Sequence, residues 1–342
     1  MIELLNTLYV TTQGIYAHLD HDTVRLELEG QTRLRVPLHH LGSLVVFGNV
    51  LVSPFLIHRC GEEGRSVVFL DRKGRFKARV EGPLSGNVLL RRAQHEATRS
   101  PEVRLSLGKR FIAGKLHNSR TLLLRGARET EDAEDQARLR GAAREIARSI
   151  EDIPAATSLD VVRGIEGAGA RAYFGVLTFL VRVDREAFAM AGRSRRPPRS
   201  RANALLSFSY ALLLNACRSA VESVGLDAQM GFLHDLRPGR PALALDLMEE
   251  LRPIFADRLA LALVNRRQLV PDDFEMCEGG AVLLKDEARK TLLEGWEKRR
   301  QEEVVHPELG QSMPLGFVPF VQARLLARAV RGDAEYVPFV PR

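Results

Sequence analysis

The sequence predicts an α+β protein, with an N-terminal β-rich domain followed by a larger all-α domain. Three observations carry this expectation. Around residues 24–38 apolar and polar side chains alternate at the period of a strand. From residue 87 onward the apolar residues recur at the period of a helix. Between the two regimes stands Gly82-Pro83-Leu84-Ser85-Gly86, a cluster of turn-forming residues. The expected division is a β-rich domain over 1–82, a linker over 83–95 and a helical domain over 96–342.

In chain order, Val24, Leu26 and Leu28 point one way and Arg25, Glu27 and Glu29 the other. After Gly30 the pattern resumes with Leu34, Val36 and Leu38, which makes a hairpin. Residues 43–52 and 66–70 read as further strands. Between them Ser53 can cap a short helix and Pro54 fits its first position, the helix running to about Cys60. Asp71-Arg72-Lys73-Gly74 reads as a turn into the alternating Phe76, Ala78 and Val80. Beyond the linker, 127–150 is a charged, Ala-rich helix with apolar stripes, while 159–180 and 204–224 are more apolar helices suited to burial. Residues 242–264 are helical around Pro253, which should kink the helix or start a new segment.

Composition narrows the class without naming a function. Of 342 residues, 45% are hydrophobic and 27% charged, ordinary values that exclude disorder, fibres and membrane spans. No apolar run is expected to reach the roughly 18 residues a bilayer requires. Glu3 and the lack of an early basic stretch argue against a signal peptide. Cys60, Cys217 and Cys277 form no CxxC pair and read as reduced thiols of a cytoplasmic protein. The net charge is +7, which suits a polyanionic partner. It is unevenly spread: residues 1–90 carry 10 Lys and Arg against 9 Asp and Glu, whereas residues 91–342 carry 40 against 34. A nucleic acid should therefore meet mainly the second part.

Three segments hold candidate chemistry. Glu166 stands among small residues in Gly164-Ile165-Glu166-Gly167-Ala168-Gly169; a helix-packing seam with a surface glutamate is the plainer account of that segment alone. His234 lies in an expected loop, Gly231-Phe232-Leu233-His234-Asp235, where it is either polar surface or a metal ligand. Asp246 and Glu249 are three residues apart and Asp246 and Glu250 four, so these acids share a helix face and repel unless cations meet them. Together the segments offer a nitrogen-and-oxygen ligand set that suits Mg²⁺ or Mn²⁺. Such an ion is what phosphoryl transfer on DNA needs. Between the segments, Arg193, Arg195, Arg196, Arg199 and Arg201 crowd a stretch containing Pro197 and Pro198 that could track phosphates. In the helix that follows, Asn203, Ser207 and Tyr210 can share a polar face.

GIEGAGARAYF at 164–174, RRPPRSRANALLSFSYALL at 195–213, GFLHDLRPGRPALALDLMEELRP at 231–253 and QARLLARAVRG at 322–332 occur in this order. With GPLSGNVLLRRAQ at 82–94, they make the chain resemble the CRISPR-associated adaptation integrases, the larger "Cas one" proteins, and most of all their type I-C form. The resemblance implies a β domain that dimerises and a helical catalytic domain. It implies Glu166, His234 and Glu249 as ligands of Mg²⁺ or Mn²⁺, with Asp246 as a neighbouring catalytic acid. Arg195, Arg196, Arg199, Asn203, Ser207 and Tyr210 are the residues expected to meet nucleic acid. The implied reaction is attack by a protospacer 3′-hydroxyl on a phosphodiester of the CRISPR repeat. The implied partners are double-stranded DNA, a second copy of the chain and a small ferredoxin-like "Cas two" protein. The sequence departs from the family at Ser200, where an Asp is usual. Two other functions remain compatible with the residues: a non-catalytic helical DNA-binding protein, and a nuclease of branched DNA in repair.

Overall fold

The structure is a computed structural model and describes residues 6–72, 76–80, 82, 88–190, 192–194 and 197–341. The chain divides into two units, Met1–Gly86 and Asn87–Arg342. The first contains β1 (Asn6–Val10), β2 (Tyr16–Asp20), β3 (Thr23–Leu28), β4 (Gln31–Pro37), β5 (Leu41–Phe47), β6 (Leu51–Val52), α1 (Pro54–Glu62), β7 (Ser66–Leu70) and β8 (Phe76–Val80). They build two four-stranded sheets, ordered β4-β3-β2-β6 and β1-β5-β7-β8.

The expected hairpin is β3–β4, paired with Val24 opposite Val36 and Leu26 opposite Leu34. Its turn places both Glu29 and Gly30 at positive φ, 53° and 75°, the backbone that matches the twist of the flanking strands. Val24 and Leu26 then join Leu44, Val46, Leu56, Cys60 and Val67 in one apolar core. The helix after Ser53 also forms: Leu56 N donates to Ser53 Oγ at 3.2 Å, with Pro54 at the first position. Residues 43–52 are not one strand. Gly48, at φ 70°, separates β5 from β6. The 71–74 turn and the break at 82–86 both fall partly outside the described residues.

The second unit begins with α2 (Val88–Arg99), α3 (Pro101–Glu129), α4 (Ala133–Asp152) and α5 (Leu159–Val176). Helix α2 starts within the expected linker, where the helical period begins. Gln94, fully buried, fastens that helix by donating from Nε2 to Asp227 O and Met230 O, both at 2.9 Å. The single helix expected over 127–150 is corrected. It is broken between α3 and α4, where Asp132 Oδ1 accepts from Glu134 N and Asp135 N at 2.9 Å and starts a new helix.

There follow α6 (Arg201–Ser223), α7 (Ala242–Arg252), a wide π turn at Pro253–Asp257, and α8 (Arg258–Asn265). Pro253 thus acts as expected: it ends α7, and a new helical segment follows the turn. Two hairpins interrupt the helices, β9 (Phe274–Met276) with β10 (Val282–Leu284), and β11 (Glu303–Val305) with β12 (Ser312–Pro314). Between them lies α9 (Asp286–Gln301), and α10 (Val318–Arg331) closes the series at Gly332, φ 81°. By length and composition alone α6 could cross a membrane, yet most of that stretch is buried in the unit, packed against α7 and α10. Helix α3 is central. It packs on α4, α5 and α7 through the buried Phe111, Ile112, Leu116 and Leu123.

Candidate metal centre

Helices α3, α5 and α7 and the loop before α7 bring four side chains to one point. Glu166 comes from α5, Glu249 from α7, His234 from the loop and Lys115 from α3. The Lys115 ammonium is ion-paired with Glu166 Oε1 and stands 2.7 Å from Glu249 Oε2. His234 Nε2 lies 3.8 Å from Glu249 Oε1, and Arg252, one turn along α7, reaches the same oxygen at 2.8 Å. Burial is graded across the cluster. The Glu249 side chain is 5% exposed, those of His234 and Glu166 21% and 28%. The site therefore opens to solvent on the side of Glu166 and His234, with Glu249 as its floor.

Asp246 has a different job from its neighbours. Fully buried, its carboxylate accepts from the backbone nitrogens of Phe232, Leu233 and His234 at 2.6, 3.0 and 2.9 Å. It also meets His234 Nδ1 at 2.6 Å. One carboxylate thus folds the loop and fixes the ring, leaving Nε2 to face Glu249. A carboxylate behind a histidine sets the tautomer and the direction of a ligand in this way. Gly231 makes the contact possible: a Cβ there would come within 2.7 Å of Ala242 Cβ and 2.8 Å of Asp246 Oδ2. From outside, Arg104 and Arg163 hold the loop through the carbonyls of Phe232 and Leu233 at 3.1 and 2.7 Å.

Charge decides the state of Glu249. Burial alone would raise its pKa, but Arg252, Lys115 and His234 overcome that and hold the carboxyl at about 2. Glu250, the next residue of α7, is the opposite case. Burial pushes it up to about 7, although Gln322 Nε2 and Tyr336 OH donate to its Oε1 at 2.7 and 2.9 Å. Gln322 belongs to the QARLLARAVRG segment, so that motif braces α7 without touching the centre.

Among the described residues no three His, Cys, Asp or Glu side chains are already spaced as a metal site. The donor chemistry nonetheless fits a hard divalent cation: two carboxylates and an imidazole, with positive charge demanded between the carboxylates. Lys115 supplies that charge here, and Glu249 Oε2 is buried without a geometrically sound hydrogen bond. Sequence reasoning missed Lys115. Its only signal was a lysine on the apolar face of α3, beside Phe111, Ile112 and Leu116.

The residues expected at a nucleic acid divide into groups. Arg195 and Arg196 lie outside the described residues, and Arg199 is exposed. Asn203 is buried and organises the loop ahead of α6: its Oδ1 accepts from Arg193 at 2.7 Å and from Ser194 N at 3.0 Å. Ser207 Oγ accepts from the same arginine at 3.1 Å. Tyr210 OH donates to Asp257 Oδ1 at 2.7 Å, and Tyr173 OH to Oδ2 at 2.7 Å. Arg252 lies over the Tyr210 ring, 5.0 Å from its centroid, which ties this polar group to Glu249. Ser200, the departure from the family pattern, caps α6 by accepting from Asn203 N at 3.2 Å; Asp and Ser serve equally at such a position.

Residues 8–298 match the model of the family described as CRISPR associated protein Cas1. The chain is 55% identical over 340 residues to a CRISPR-associated endonuclease Cas1 of Moorella thermoacetica, covering 99% of both. It is 52% identical to one of Rhodospirillum rubrum, covering 99% of this chain and 98% of that one. A solved Cas1 protein of Thermotoga maritima has the same fold, with TM-score 0.84 at 23% identity over 97% of this chain and 99% of that one. So has a casposase bound to its integration product, with TM-score 0.83 at 22% identity over 98% and 93%. The chain belongs to the CRISPR-associated Cas1 family.

Proposed function

We propose that the chain is a metal-dependent DNA integrase and endonuclease of CRISPR adaptation, joining protospacer 3′-hydroxyls to phosphodiesters of the repeat. The observation that carries this is the convergence of Glu166, His234 and Glu249, from three separate elements, on a point open to solvent on one side. These three side chains would hold Mg²⁺ or Mn²⁺, with Lys115 moving aside. The ion, when bound, supplies Lewis acidity to the reacting phosphate and a template for the attacking oxygen.

The chain's own residues do the rest. Asp246 keeps His234 Nε2 pointing into the site. Arg252 keeps Glu249 ionised and in place. Lys115, freed from the carboxylates, carries a positive charge beside the opening, where a phosphate would sit. The nucleophile belongs to the DNA, so no covalent enzyme intermediate is required. Exposed arginines of the helical unit, Arg171, Arg199 and Arg237 among them, favour binding of the phosphate backbone without regard to sequence.

Relatives' assemblies support the partners. A solved complex containing Cas1 and Cas2 shares this fold, and we take double-stranded DNA, a small Cas2-type protein and a second copy of the chain as partners. In the first unit Tyr16 and Leu51, paired across β2 and β6, are exposed, as is Phe55 at the start of α1, apolar side chains suited to pairing between copies. The three free cysteines agree with a cytoplasmic setting. A strand-transfer assay with labelled duplex and a repeat-bearing plasmid tests the proposal. Joined product should require Mg²⁺ or Mn²⁺ and vanish in Glu166→Ala, His234→Ala and Glu249→Ala. Metal-dependent cleavage of branched DNA without joining would show a repair nuclease instead, and binding without either reaction a structural protein.

A further inference from the structure

A second concentration of positive charge lies away from the carboxylates. The end of α3, residues 180–182, α8 and α9 enclose a cleft of about 600 Å³. Arg125, Arg182, Arg258, Arg266, Lys298 and Arg299 line it, against Glu129, Glu294 and Glu302. Arg125 and Arg182 share Glu129, and Arg299 holds Glu302 and donates to Ile254 O at 2.8 Å. Arg258, Arg266 and Lys298 have no ion-pair partner among the described residues, nor has Glu294. The lining thus carries a surplus of three cations.

The crowding is energetically visible. Burial and the charge of Arg125 lower the pKa of Arg258, and burial and Arg258 lower that of Arg299 to about 10. Nor is the cleft a loose gap between helices. A Cβ on Gly295 would come within 3.0 Å of Leu263 Cδ2, so α8 and α9 are closely packed beneath it. A concave, firmly built surface with more guanidinium than carboxylate attracts anions. Planar, forked donors of this kind match phosphate oxygens.

We propose that this cleft binds the phosphate backbone of a DNA strand at a position separate from Glu166, His234 and Glu249. The inference rests on the DNA reaction proposed above. Arg125 stands ten residues beyond Lys115 on α3, about 15 Å at 1.5 Å per residue. At about 3.4 Å per phosphate along one strand, four or five phosphates span that distance. A strand whose one phosphate reacts at the carboxylate centre can therefore be held further along by the cleft.

The test uses the full chain and the double variant Arg266→Gln/Lys298→Gln, both exposed positions. Affinity for a labelled duplex is titrated against salt in chelator, so that binding is read apart from reaction. Loss of two phosphate contacts should weaken binding about tenfold or more near 0.1 M salt and reduce the log–log salt slope by about 2. Displacement of duplex by inorganic tripolyphosphate from the wild type, and less readily from the variant, also supports the proposal. Unchanged duplex affinity and slope in the variant would overturn it. So would a loss confined to tripolyphosphate, which marks a site for free polyphosphate, or to poly-glutamate, which marks an acidic protein segment. Absence of strand joining by the wild type, with the variant still showing its binding defect relative to it, would count against the proposed function and not against the cleft.

Discussion

Asp246, Glu249 and Glu250 occupy neighbouring turns of one helix and live in three electrostatic worlds. Asp246 spends its oxygens on a loop, Glu249 faces a convergence of cations, and Glu250 sits among apolar groups and two neutral donors. Asp246→Asn should keep divalent-ion binding and slow strand transfer about 10–100-fold, the usual cost of disturbing a residue that orients a ligand. Glu249→Gln should lose both, and calorimetric Mn²⁺ titration of the two variants separates the roles. The reverse pattern would move the metal one turn towards the start of α7. Glu250 predicts a pH dependence of stability. Its carboxyl titrates near 4.5 when unconstrained and about 7 in the fold. Between those values the folded chain keeps a proton that the unfolded chain releases, so stability falls as pH rises through the window. The loss is about 3 kcal/mol in all at about 1.4 kcal/mol per unit. Glu250→Gln removes this slope and should be more stable than the wild type above pH 7. Thermal melts at pH 5 and pH 8 check it; a variant whose melting temperature falls with pH as the wild type's does would contradict it.

At the scale of elements, caps and close approaches set the site. Ser200→Ala should destabilise the helical unit by about 1 kcal/mol, while Ser200→Asp should not, because both oxygens can cap α6. Denaturant unfolding measures the difference. Gly231→Ala should cut strand transfer by more than tenfold through displacement of the His234 loop, since its Cβ would meet Ala242 and Asp246. Normal activity in that variant would mean the loop has more freedom than the geometry allows. The same scale separates what the sequence revealed from what it hid. The β3–β4 hairpin was legible because alternation and a positive-φ turn agree locally, and α1 because Ser53 and Pro54 announce it. The short hairpins β9–β10 and β11–β12 were not, because three-residue strands leave no periodic signal. Lys115 escaped because a lysine in a long helix is chemically silent until tertiary packing sets two carboxylates against it. Asn203, Ser207 and Tyr210 were legible as a shared face, but only packing shows that they hold Arg193 and Asp257.

For the whole molecule, the two units divide the labour: the β-rich one offers exposed apolar strand residues, the helical one carries the carboxylates and most of the surplus positive charge. Sedimentation at micromolar concentration should give a dimer, and Leu51→Lys with Phe55→Lys should shift it to monomer without loss of fold. A wild type that sediments as a monomer would remove that surface from the account. The central claim is that Glu166, His234 and Glu249 form one metal site that Lys115 yields on binding. Anomalous scattering from Mn²⁺-soaked crystals addresses it most directly. The expected result is a single strong peak among the three side chains, with the Lys115 ammonium withdrawn from Glu166 and Glu249. A peak elsewhere, or Lys115 still bridging the two carboxylates at saturating Mn²⁺, would contradict it.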